Sequence, residues 1–324
     1  MHDCGCSLTI ADMIGQTPIV MLRRSVPSSV RARIMCKCEF MNPTGSVKDR
    51  IALFMIREAE RKGKLRPGMT IIVPTTGNTG ISFAAIAGAL GYKVLVVLPE
   101  EVSTERFMLL KLYGADVIKT KGGGQNAMEA LEQAYRIAEK DPDKYYVADQ
   151  WRDEANIMAH YETTATEILE QAGEVNAFVA GVGTGGTLIG VAKRLKEKNS
   201  DVLIIAVEPV ECPVINSRLK GEKLVCRSHS IEGIGDGFLP PIVEENLDLI
   251  DEVVLVTSAE AIETAKKLAR MEGLAVGISA GANVAASIKV AVNHEFSEKD
   301  TIVTVLPDAA SRYYSVLLKN TNQQ

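Results

Sequence analysis

Residues 70–99, TIIVPTTGNTGISFAAIAGALGYKVLVVLP, form the stretch of sequence that decides the fold class. Two β-branched runs, residues 71–73 and 94–98, flank a segment of small residues from 81 to 90 that is typical of a helix. A strand, a loop, a helix and a second strand in that order make a βαβ unit, and such a unit belongs to a parallel sheet. A proline, a polar loop and a lysine interrupt the apolar character, so the stretch does not indicate a membrane span.

The same alternation continues on both sides of this unit. Apolar patterning predicts helices over residues 104–113, 129–140, 154–171, 188–198, 259–271 and 282–291. It predicts strands near residues 117–118, 145–148, 177–180, 202–207, 253–256 and 301–306. Residues 209–251 are irregular and rich in glycine and proline. The alternation predicts an α/β protein with mainly parallel sheets covered by helices on both faces.

Composition excludes several classes of protein. The chain has 324 residues and a formal net charge of −5, with 46% hydrophobic and 24% charged residues. These proportions exclude a disordered, collagen-like or coiled-coil chain, and the length favours two lobes. The mild acidity argues against nucleic-acid or anionic-membrane partners. The N-terminal residues lack the basic and apolar regions of a signal peptide, so we expect a cytoplasmic protein.

Six cysteines in this length are too few for a disulfide scaffold. Cys4 and Cys6, together with Cys36 and Cys38 and with His2, offer two C-x-C pairs that could hold a metal. A one-residue gap is unusual, because zinc sites commonly use two to four residues between cysteines. We therefore expect free thiols and no metal, with the second pair on a strand.

Residues 181–187, GVGTGGT, lie between a predicted strand and a predicted helix. Glycines let backbone amides face an anion, and the start of a helix favours negative charge, so the loop predicts a phosphate site. The letters also satisfy G-x-G-x-x-G, and Glu208 ends the next strand where a ribose-binding acid is expected. The loop alone does not separate a nicotinamide dinucleotide from a smaller phosphate, or either from a tight turn without a ligand.

Residues 42–50, NPTGSVKDR, place Lys48 in the first turn of a helix that starts near Val47. The helix dipole is expected to lower the pKa of an ammonium there. A lowered pKa leaves a free amine, which is the form that makes an imine with an aldehyde. The simpler alternative is a solvated lysine or one paired with Asp49.

Two further loops carry polar groups at predicted helix starts. Residues 75–80, TTGNTG, offer hydroxyls and amides that suit a carboxylate, although Asn78 could be only a helix N-cap. Residues 277–282, GISAGA, place Ser279 as another cap or as a neutral hydrogen-bond partner for a ligand.

Taken together and in this order, the four loops resemble the cysteine synthase and cystathionine β-synthase family. The resemblance runs from residues 14–18, IGQTP, to residues 306–308, LPD. It implies the fold of the tryptophan synthase β subunit, in which pyridoxal 5′-phosphate (PLP) lies in the cleft between two three-layer α/β/α lobes. It further implies a homodimer, a larger cofactor-phosphate lobe of residues 1–43 and 154–324, and a smaller mobile substrate-binding lobe of residues 44–153.

The resemblance also implies roles for individual residues. Lys48 would hold the cofactor and act as a catalytic base, Asn78 would bond the phenolic oxygen of the ring, and Ser279 would face the pyridine nitrogen. The phosphate cradle would consist of Gly183, Thr184, Gly185, Gly186 and Thr187. The substrate-binding positions would be Thr75, Thr76, Gly77, Thr79, Gln150 and Gly235.

The implied reaction is β-replacement on a serine- or cysteine-type amino acid. We expect O-acetylserine and sulfide to give L-cysteine and acetate through an aminoacrylate intermediate. Asp236 departs from the family pattern, because the family has alanine between the two glycines. A carboxylate there would repel hydrosulfide but could activate water or a thiol, unless it only faces solvent. The alternative is therefore release of hydrogen sulfide from L-cysteine with formation of serine or a thioether, or cystathionine β-synthase activity.

Two other classes of function compete with this prediction. A nicotinamide-dependent oxidoreductase would account for the glycine loop and Glu208, but it leaves Lys48, Asn78 and Ser279 unexplained. A non-catalytic member that binds a partner or senses an amino acid is the other alternative, and the intact Lys48 argues against it.

Overall fold

The computed structural model describes residues 8–122 and 127–318. The strands of this part are β1 (Ile19–Met21), β2 (Arg33–Lys37), β3 (Thr70–Pro74), β4 (Lys93–Pro99), β5 (Asp116–Thr120), β6 (Tyr145–Val147), β7 (Ala177–Gly181), β8 (Leu203–Pro209), β9 (Glu252–Val256) and β10 (Thr301–Val305). The helices are α1 (Lys48–Arg61), α2 (Asn78–Ala89), α3 (Thr104–Leu112), α4 (Ala127–Ala138), α5 (Glu154–Ala159), α6 (Ala165–Ala172), α7 (Gly186–Lys198), α8 (Val214–Lys220), α9 (Pro241–Glu244), α10 (Ser258–Glu272), α11 (Ile278–Asn293) and α12 (Tyr314–Leu317).

The smaller of two sheets has the strand order β5-β4-β3-β6, and all of its neighbouring strands run parallel. Helices α1 and α2 pack on one face around Ile71, Val73 and Phe83. Helix α4 covers the opposite face near Ile72 and Val97. Successive residues of β3 thus point into different cores, as the two-residue period of a strand requires.

The larger sheet has the order β1-β2-β10-β7-β8-β9, in which only the β1–β2 pair is antiparallel. Ala177 and Val179 belong to the core under α10 and α11. Phe178 and Ala180 belong to the core under α6 and α7. Both sheets are therefore covered on two faces, which confirms the predicted α/β fold class.

The chain beyond β10 meets the turn that precedes α1. Ser46 and Asp308 form an isolated antiparallel bridge, and the amide of Val47 donates to the carbonyl of Pro307 at 2.8 Å. These contacts hold Lys48, the first residue of α1, against the carboxyl end of β10.

Most predicted elements are present within a few residues of the expected positions. The single helix expected over residues 154–171 is interrupted, because a π-helical turn at His160–Thr164 separates α5 from α6. The segment expected to be irregular contains α8 and α9. No helix among the described residues is both long enough and apolar enough to cross a bilayer.

The cysteines follow the expectation in part. Cys36 lies on β2 and Cys38 just beyond its end, and both are buried free thiols. Cys212 and Cys226 form a disulfide, which the cysteine count did not predict. His2, Cys4 and Cys6 lie outside the described residues, so their predicted state is not tested.

Candidate active site

One cavity lies where the carboxyl ends of β3, β7 and β10 meet the starts of α1, α2, α7 and α11. Ligands of parallel α/β sheets commonly bind at such strand ends. Twelve of the predicted site residues line it: Lys48, Thr75, Thr76, Asn78, Thr79, Gln150, Gly183, Thr184, Gly185, Thr187, Asp236 and Ser279. Gly77 instead caps α2 and packs against Arg106, Gly186 packs against Asn156, and Gly235 lines an adjoining recess.

The Lys48 amine is the unpaired cation of this cavity. The hydrogen bonds and ion pairs of the described residues include none to its Nζ, and Asp49 accepts instead from the amide of Thr44 at 2.7 Å. Burial lowers the pKa of Lys48, while the carboxylates of Asp236 and Asp308 oppose that shift. The predicted direction is thus confirmed, but burial rather than the helix dipole is the main cause, and the alternative of a surface lysine paired with Asp49 is wrong.

Asn78 is the first residue of α2 and does not cap it, because Gly77 occupies the N-cap position. Its Nδ2 donates to Asp308 Oδ2 at 2.7 Å, and its Oδ1 accepts from Arg312. The two partners define which end of the amide is the donor. Asp308 is fully buried, and its Oδ1 has no hydrogen-bond partner among the described groups.

The glycine loop offers unpaired amides at the start of α7, a helix of 13 residues. The backbone hydrogen bonds of the described residues include none donated by Gly183, Thr184 or Gly185. Gly185 has a φ of +88°, and a Cβ there would lie 2.3 Å from Val243 Cγ2, so only glycine fits. Free amides at a helix N-terminus form a site for a phosphate.

A buried polar network holds this loop beside the threonine loop after β3. Asn156 Nδ2 donates to the carbonyl of Gln150 at 2.7 Å and to Thr184 Oγ1 at 3.0 Å. Thr79 Oγ1 donates to Gln150 Oε1 at 2.6 Å. Thr75 Oγ1 accepts from the amide of Gly77 at 2.9 Å. The hydroxyls of Thr75, Thr79 and Thr184 are therefore held in place by neighbours.

The π-helical turn positions one member of the cradle. It places the buried His160 so that its Nε2 lies 3.1 Å from Thr187 Oγ1 and its Nδ1 lies 2.9 Å from Thr164 Oγ1. Burial lowers the pKa of His160 well below its usual value, and the positive charges of Lys48 and Arg50 lower it further. A neutral ring in this place can accept or donate one hydrogen bond on each side.

Ser279 is the second residue of α11 and is buried in the cavity wall. Gly277 is the N-cap of α11, so the interpretation of Ser279 as a cap is wrong. The hydrogen bonds described for this chain include none from the Ser279 hydroxyl. It therefore presents a neutral donor and acceptor to whatever the cavity holds.

Asp236 is buried rather than solvent-facing, with 7% of its surface exposed. Trp151 Nε1 donates to its Oδ2 at 3.1 Å. Burial raises the pKa of Asp236, although Trp151 and the charges of Lys48 and His229 oppose that shift. The alternative in which Asp236 only faces solvent is therefore wrong.

A recess opens beside the cavity and shares with it Thr76, Arg106, Glu232 and Asp236. Arg106, on α3, donates to Glu232 and to the carbonyl of Thr76, and it also donates to the hydroxyl of Tyr313 at 2.7 Å. His229 lines the recess, and its Nδ1 is buried without a partner among the described groups.

Four residues of the site were not predicted from the sequence: Arg106, Trp151, Asn156 and Asp308. The signal for Asp308 was available, because an acidic residue directly follows the last apolar strand and strand ends carry sites. Arg106, Trp151 and Asn156 carry no local motif, since each acts on a residue that lies far from it in sequence or across a loop.

Glu208 does not face the glycine loop as a ribose-binding acid. Its buried carboxylate accepts from the amides of Ile215 at 2.7 Å and Asn216 at 3.0 Å, at the start of α8. The side chain that favoured a nicotinamide cofactor thus binds backbone amides at the start of a helix.

An unpaired lysine amine that lines the same cavity as a loop with free amides is typical of one class, the enzymes that bind a phosphorylated aldehyde cofactor. The residues present fit such a group, because free amides, an unpaired amine, an oriented amide and a neutral hydroxyl line one cavity. Residues 10–308 match the family described as pyridoxal-phosphate dependent enzyme.

The chain is 44% identical over 308 residues to cysteine synthase A of Salmonella typhi, which covers 94% of this chain and 93% of that protein. It resembles the crystal structure of cysteine synthase from Entamoeba histolytica with a TM-score of 0.89 and 36% identity, covering 100% and 94% of the two chains. It also resembles a hydrogen sulfide-producing enzyme from Fusobacterium nucleatum with a TM-score of 0.86 and 35% identity, covering 95% and 100%. The chain belongs to the PLP-dependent enzymes of this family and has their tryptophan synthase β-like fold.

Proposed function

We propose that this enzyme is a cysteine synthase, which replaces the acetoxy group on the β-carbon of O-acetylserine by sulfide and forms L-cysteine and acetate. The observation that carries the proposal is the unpaired Lys48 amine beside the phosphate cradle, in a chain 44% identical to a cysteine synthase. The nicotinamide alternative loses its support, because the carboxylate of Glu208 accepts from a backbone amide at the start of α8 and is not available to bind a ribose.

The cofactor, when bound, supplies an electron sink for breaking bonds at the substrate α- and β-carbons. We assign Lys48 to hold it and to take the proton from the substrate α-carbon, which requires the free amine that burial favours. Asn78, held by Asp308 and Arg312, has a second Nδ2 hydrogen that would bond the ring oxygen. Ser279 would face the ring nitrogen as a neutral partner, and the amides and hydroxyls of residues 183–187 would bind the phosphate.

We assign the substrate carboxylate to the loop after β3. Thr75, Thr76 and Thr79 present hydroxyls at the N-terminus of α2, where an anion is favoured. Gln150 orients Thr79 from the opposite side. Gly77 and Gly235 have no side chain, so Arg106 can pack against Gly77 and His229 against Gly235.

Three further features are part of the proposal. Residues 44–153 would be a mobile substrate-binding lobe that closes on the larger lobe of residues 1–43 and 154–324. The enzyme would be a cytoplasmic homodimer. Its second substrate would be sulfide or a thiol, with no role for nucleic acid or a membrane.

The test is spectroscopic and compares variants of the lysines at the two ends of α1, Lys48 and the C-cap residue Lys62. The purified protein should be yellow, with a violet-region absorption band that shifts when an amino acid is added. Lys48→Ala should abolish the shift and the synthesis of cysteine, because no second lysine is found among the described residues that line the cavity. Lys62→Ala, which removes the exposed lysine just after the end of the same helix, should leave both unchanged. A colourless protein that Lys48→Ala does not alter would overturn the proposal.

A second reaction is favoured by Asp236. Its carboxylate lies in the cavity wall, and burial raises its pKa, which makes it a stronger base toward water or a thiol than an exposed aspartate. It also disfavours the approach of anionic hydrosulfide. Release of hydrogen sulfide from L-cysteine, with formation of serine or a thioether, is therefore the second candidate, and one structural relative produces hydrogen sulfide. Cystathionine β-synthase activity, which also adds a thiol, remains an alternative at the same site.

Asp236→Asn separates the two reactions, because it preserves the size of the side chain and removes its charge. Loss of a general base typically costs ~10²-fold or more, so hydrogen sulfide release from L-cysteine should fall by at least that factor. Cysteine synthesis from O-acetylserine and sulfide should be retained or faster. The exposed Asp248→Asn is the control and should change neither rate. Unchanged hydrogen sulfide release in Asp236→Asn would show that this carboxylate has no such role.

A further inference from the structure

The disulfide between Cys212 and Cys226 has no part in the chemistry proposed above. Cys212 is fully buried just after β8, and Cys226 is partly buried on the irregular segment that follows α8. Fourteen positions separate the two residues. The disulfide therefore ties residues 221–236, here called the mouth segment, to the end of a central strand.

The mouth segment carries one wall of the active-site entrance. Ser228 and His229 line the recess, and Glu232 and Asp236 line both the recess and the cavity. The disulfide thus fastens the same segment that presents the carboxylate of Asp236 to the site.

Few other contacts hold the first half of the mouth segment. From Lys223 to His229 the described main-chain hydrogen bonds include one, from the amide of Arg227 to the carbonyl of Glu211 at 2.8 Å. The next is from the amide of Ser230 to Ser258 Oγ at 3.0 Å. Because few hydrogen bonds hold residues 223–229, breaking the disulfide would let these residues move relative to β8.

We propose that the Cys212–Cys226 disulfide is a thiol-exchange site, and that its reduction loosens the mouth segment and alters the active-site entrance. Its reactants are small thiols, a class that includes free cysteine. This inference requires the cavity of the PLP enzyme but neither of the two reactions proposed for it. Disulfides of cytoplasmic proteins are commonly redox-sensing, which agrees with the compartment proposed above.

The exchange balances in two steps. A thiolate attacks Sγ of Cys226, the less buried of the two residues, the disulfide breaks, and Sγ of Cys212 leaves as a thiolate that takes a proton from water. A second thiolate attacks the mixed disulfide on Cys226, and Cys226 leaves as a thiolate that is protonated in turn. The sum is one protein disulfide and two thiols giving one protein dithiol and one small-molecule disulfide.

The chain contains its own reporter of the mouth segment. Trp151 is its single tryptophan, and its Nε1 donates to Asp236 Oδ2. Movement of the mouth segment would change this hydrogen bond and hence the emission of Trp151, with no substrate needed.

The experiment compares the air-oxidised holoenzyme, the same protein treated with dithiothreitol, and the double variant Cys212→Ser/Cys226→Ser. Alkylation and mass spectrometry should show that reduction exposes two additional thiols, at Cys212 and Cys226. Reduction should shift the Trp151 emission, and the double variant should show the shifted emission without reductant. KM for the thiol or sulfide substrate should change by about fivefold or more, the low end of measured coupling between linked sites. Cys36→Ala, which removes a buried free thiol elsewhere, should behave as the unaltered protein.

Two results would overturn the inference. One is alkylation of Cys212 and Cys226 without reduction, which would mean that the disulfide does not form. The other is a lower melting temperature in the reduced protein with unchanged Trp151 emission and unchanged KM, which would mean that the cross-link is only structural. If the emission responds to reduction in a protein that makes no cysteine, the exchange site is supported and the proposed reaction fails.

Discussion

At the scale of single residues, several polar atoms in and around the site are fixed in position by packing but have no hydrogen-bond partner among the described groups. Lys48 Nζ has no partner among the described groups, and Asp308 Oδ1 and Asn156 Oδ1 are buried without one. An unsatisfied buried polar atom costs free energy. Asn156 Oδ1 packs against Gly186 and Asp308 Oδ1 against Gly277, whereas the Lys48 side chain lines the cavity and can reach a ligand there. The adjoining glycines have the complementary role of leaving space.

Gly186→Ala tests how tightly that space is defined. A Cβ there would lie 1.9 Å from Asn156 Oδ1, so Asn156 must move and release Gln150 and Thr184. We expect a loss of ~1–3 kcal/mol in the free energy of unfolding and weaker binding of PLP. Thermal unfolding and cofactor titration measure the two effects.

Gly88→Ala is the matched control for that substitution. Gly88 lies inside α2 with open space around its Cα, so alanine should be neutral or stabilise the protein by up to ~1 kcal/mol. If Gly186→Ala bound PLP and unfolded as Gly88→Ala does, the close packing of Asn156 on the loop would be refuted.

At the scale of elements, helix termini account for most of the differences between sequence and structure. Asn78 and Ser279 each looked like an N-cap, but glycines cap both helices and leave the polar side chains to the cavity. Glu208 looked like a ligand-binding acid and instead accepts from the first amides of α8. A carboxylate at a helix N-terminus is favourable, which is why this alternative competes with a ligand role.

Glu208 should give the protein a pH-dependent stability. Burial raises its pKa to about 7 from 4.5, so the folded protein binds this proton more tightly than the unfolded chain. The stabilisation is complete below pH 4.5 and is lost as the pH rises toward 7, by up to ~3 kcal/mol. Glu208→Gln stays neutral and should remove this slope. Denaturant unfolding from pH 4.5 to 7.5 measures it, with the exposed Glu244→Gln as control, and an unchanged slope in Glu208→Gln would contradict the assignment.

At the scale of the whole molecule, polar contacts join the two sheets across the cavity. Arg106, beside the smaller sheet, bonds Glu232 and Tyr313 on the other side. Asn78 and Asp308 make the second connection. Polar contacts exchange with water more readily than an apolar core, which suits the proposed movement of residues 44–153.

Arg106→Gln tests this connection. It removes the charge that faces Glu232 and should speed amide hydrogen exchange about tenfold or more in residues 104–112 and 228–236. The KM for the amino-acid substrate should rise with it. Arg136→Gln, which breaks an exposed pair with Glu132 on α4, is the control and should leave exchange in both segments unchanged. Equal exchange in the two variants would show that Arg106 does not hold the sheets together.

The sequence alone determined the order of strands and helices, the parallel sheets and the loops that carry Lys48, Asn78, Gly183 and Ser279. These features are local, because the apolar period, the glycines and the strand-to-helix junctions are visible within a few residues of one another. The family followed from the order of the four loops.

Only the tertiary structure decided which polar groups satisfy one another. Asp308 meets Asn78, Arg106 meets Glu232, and Cys212 meets Cys226 through contacts that close only when distant segments fold together. Burial lowers the pKa of Lys48 and raises that of Asp236, and both residues line a cavity whose wall contains residues that follow strands of both sheets. Charge and hydrogen bonding depend on distance in space, and the linear order of residues does not specify that distance.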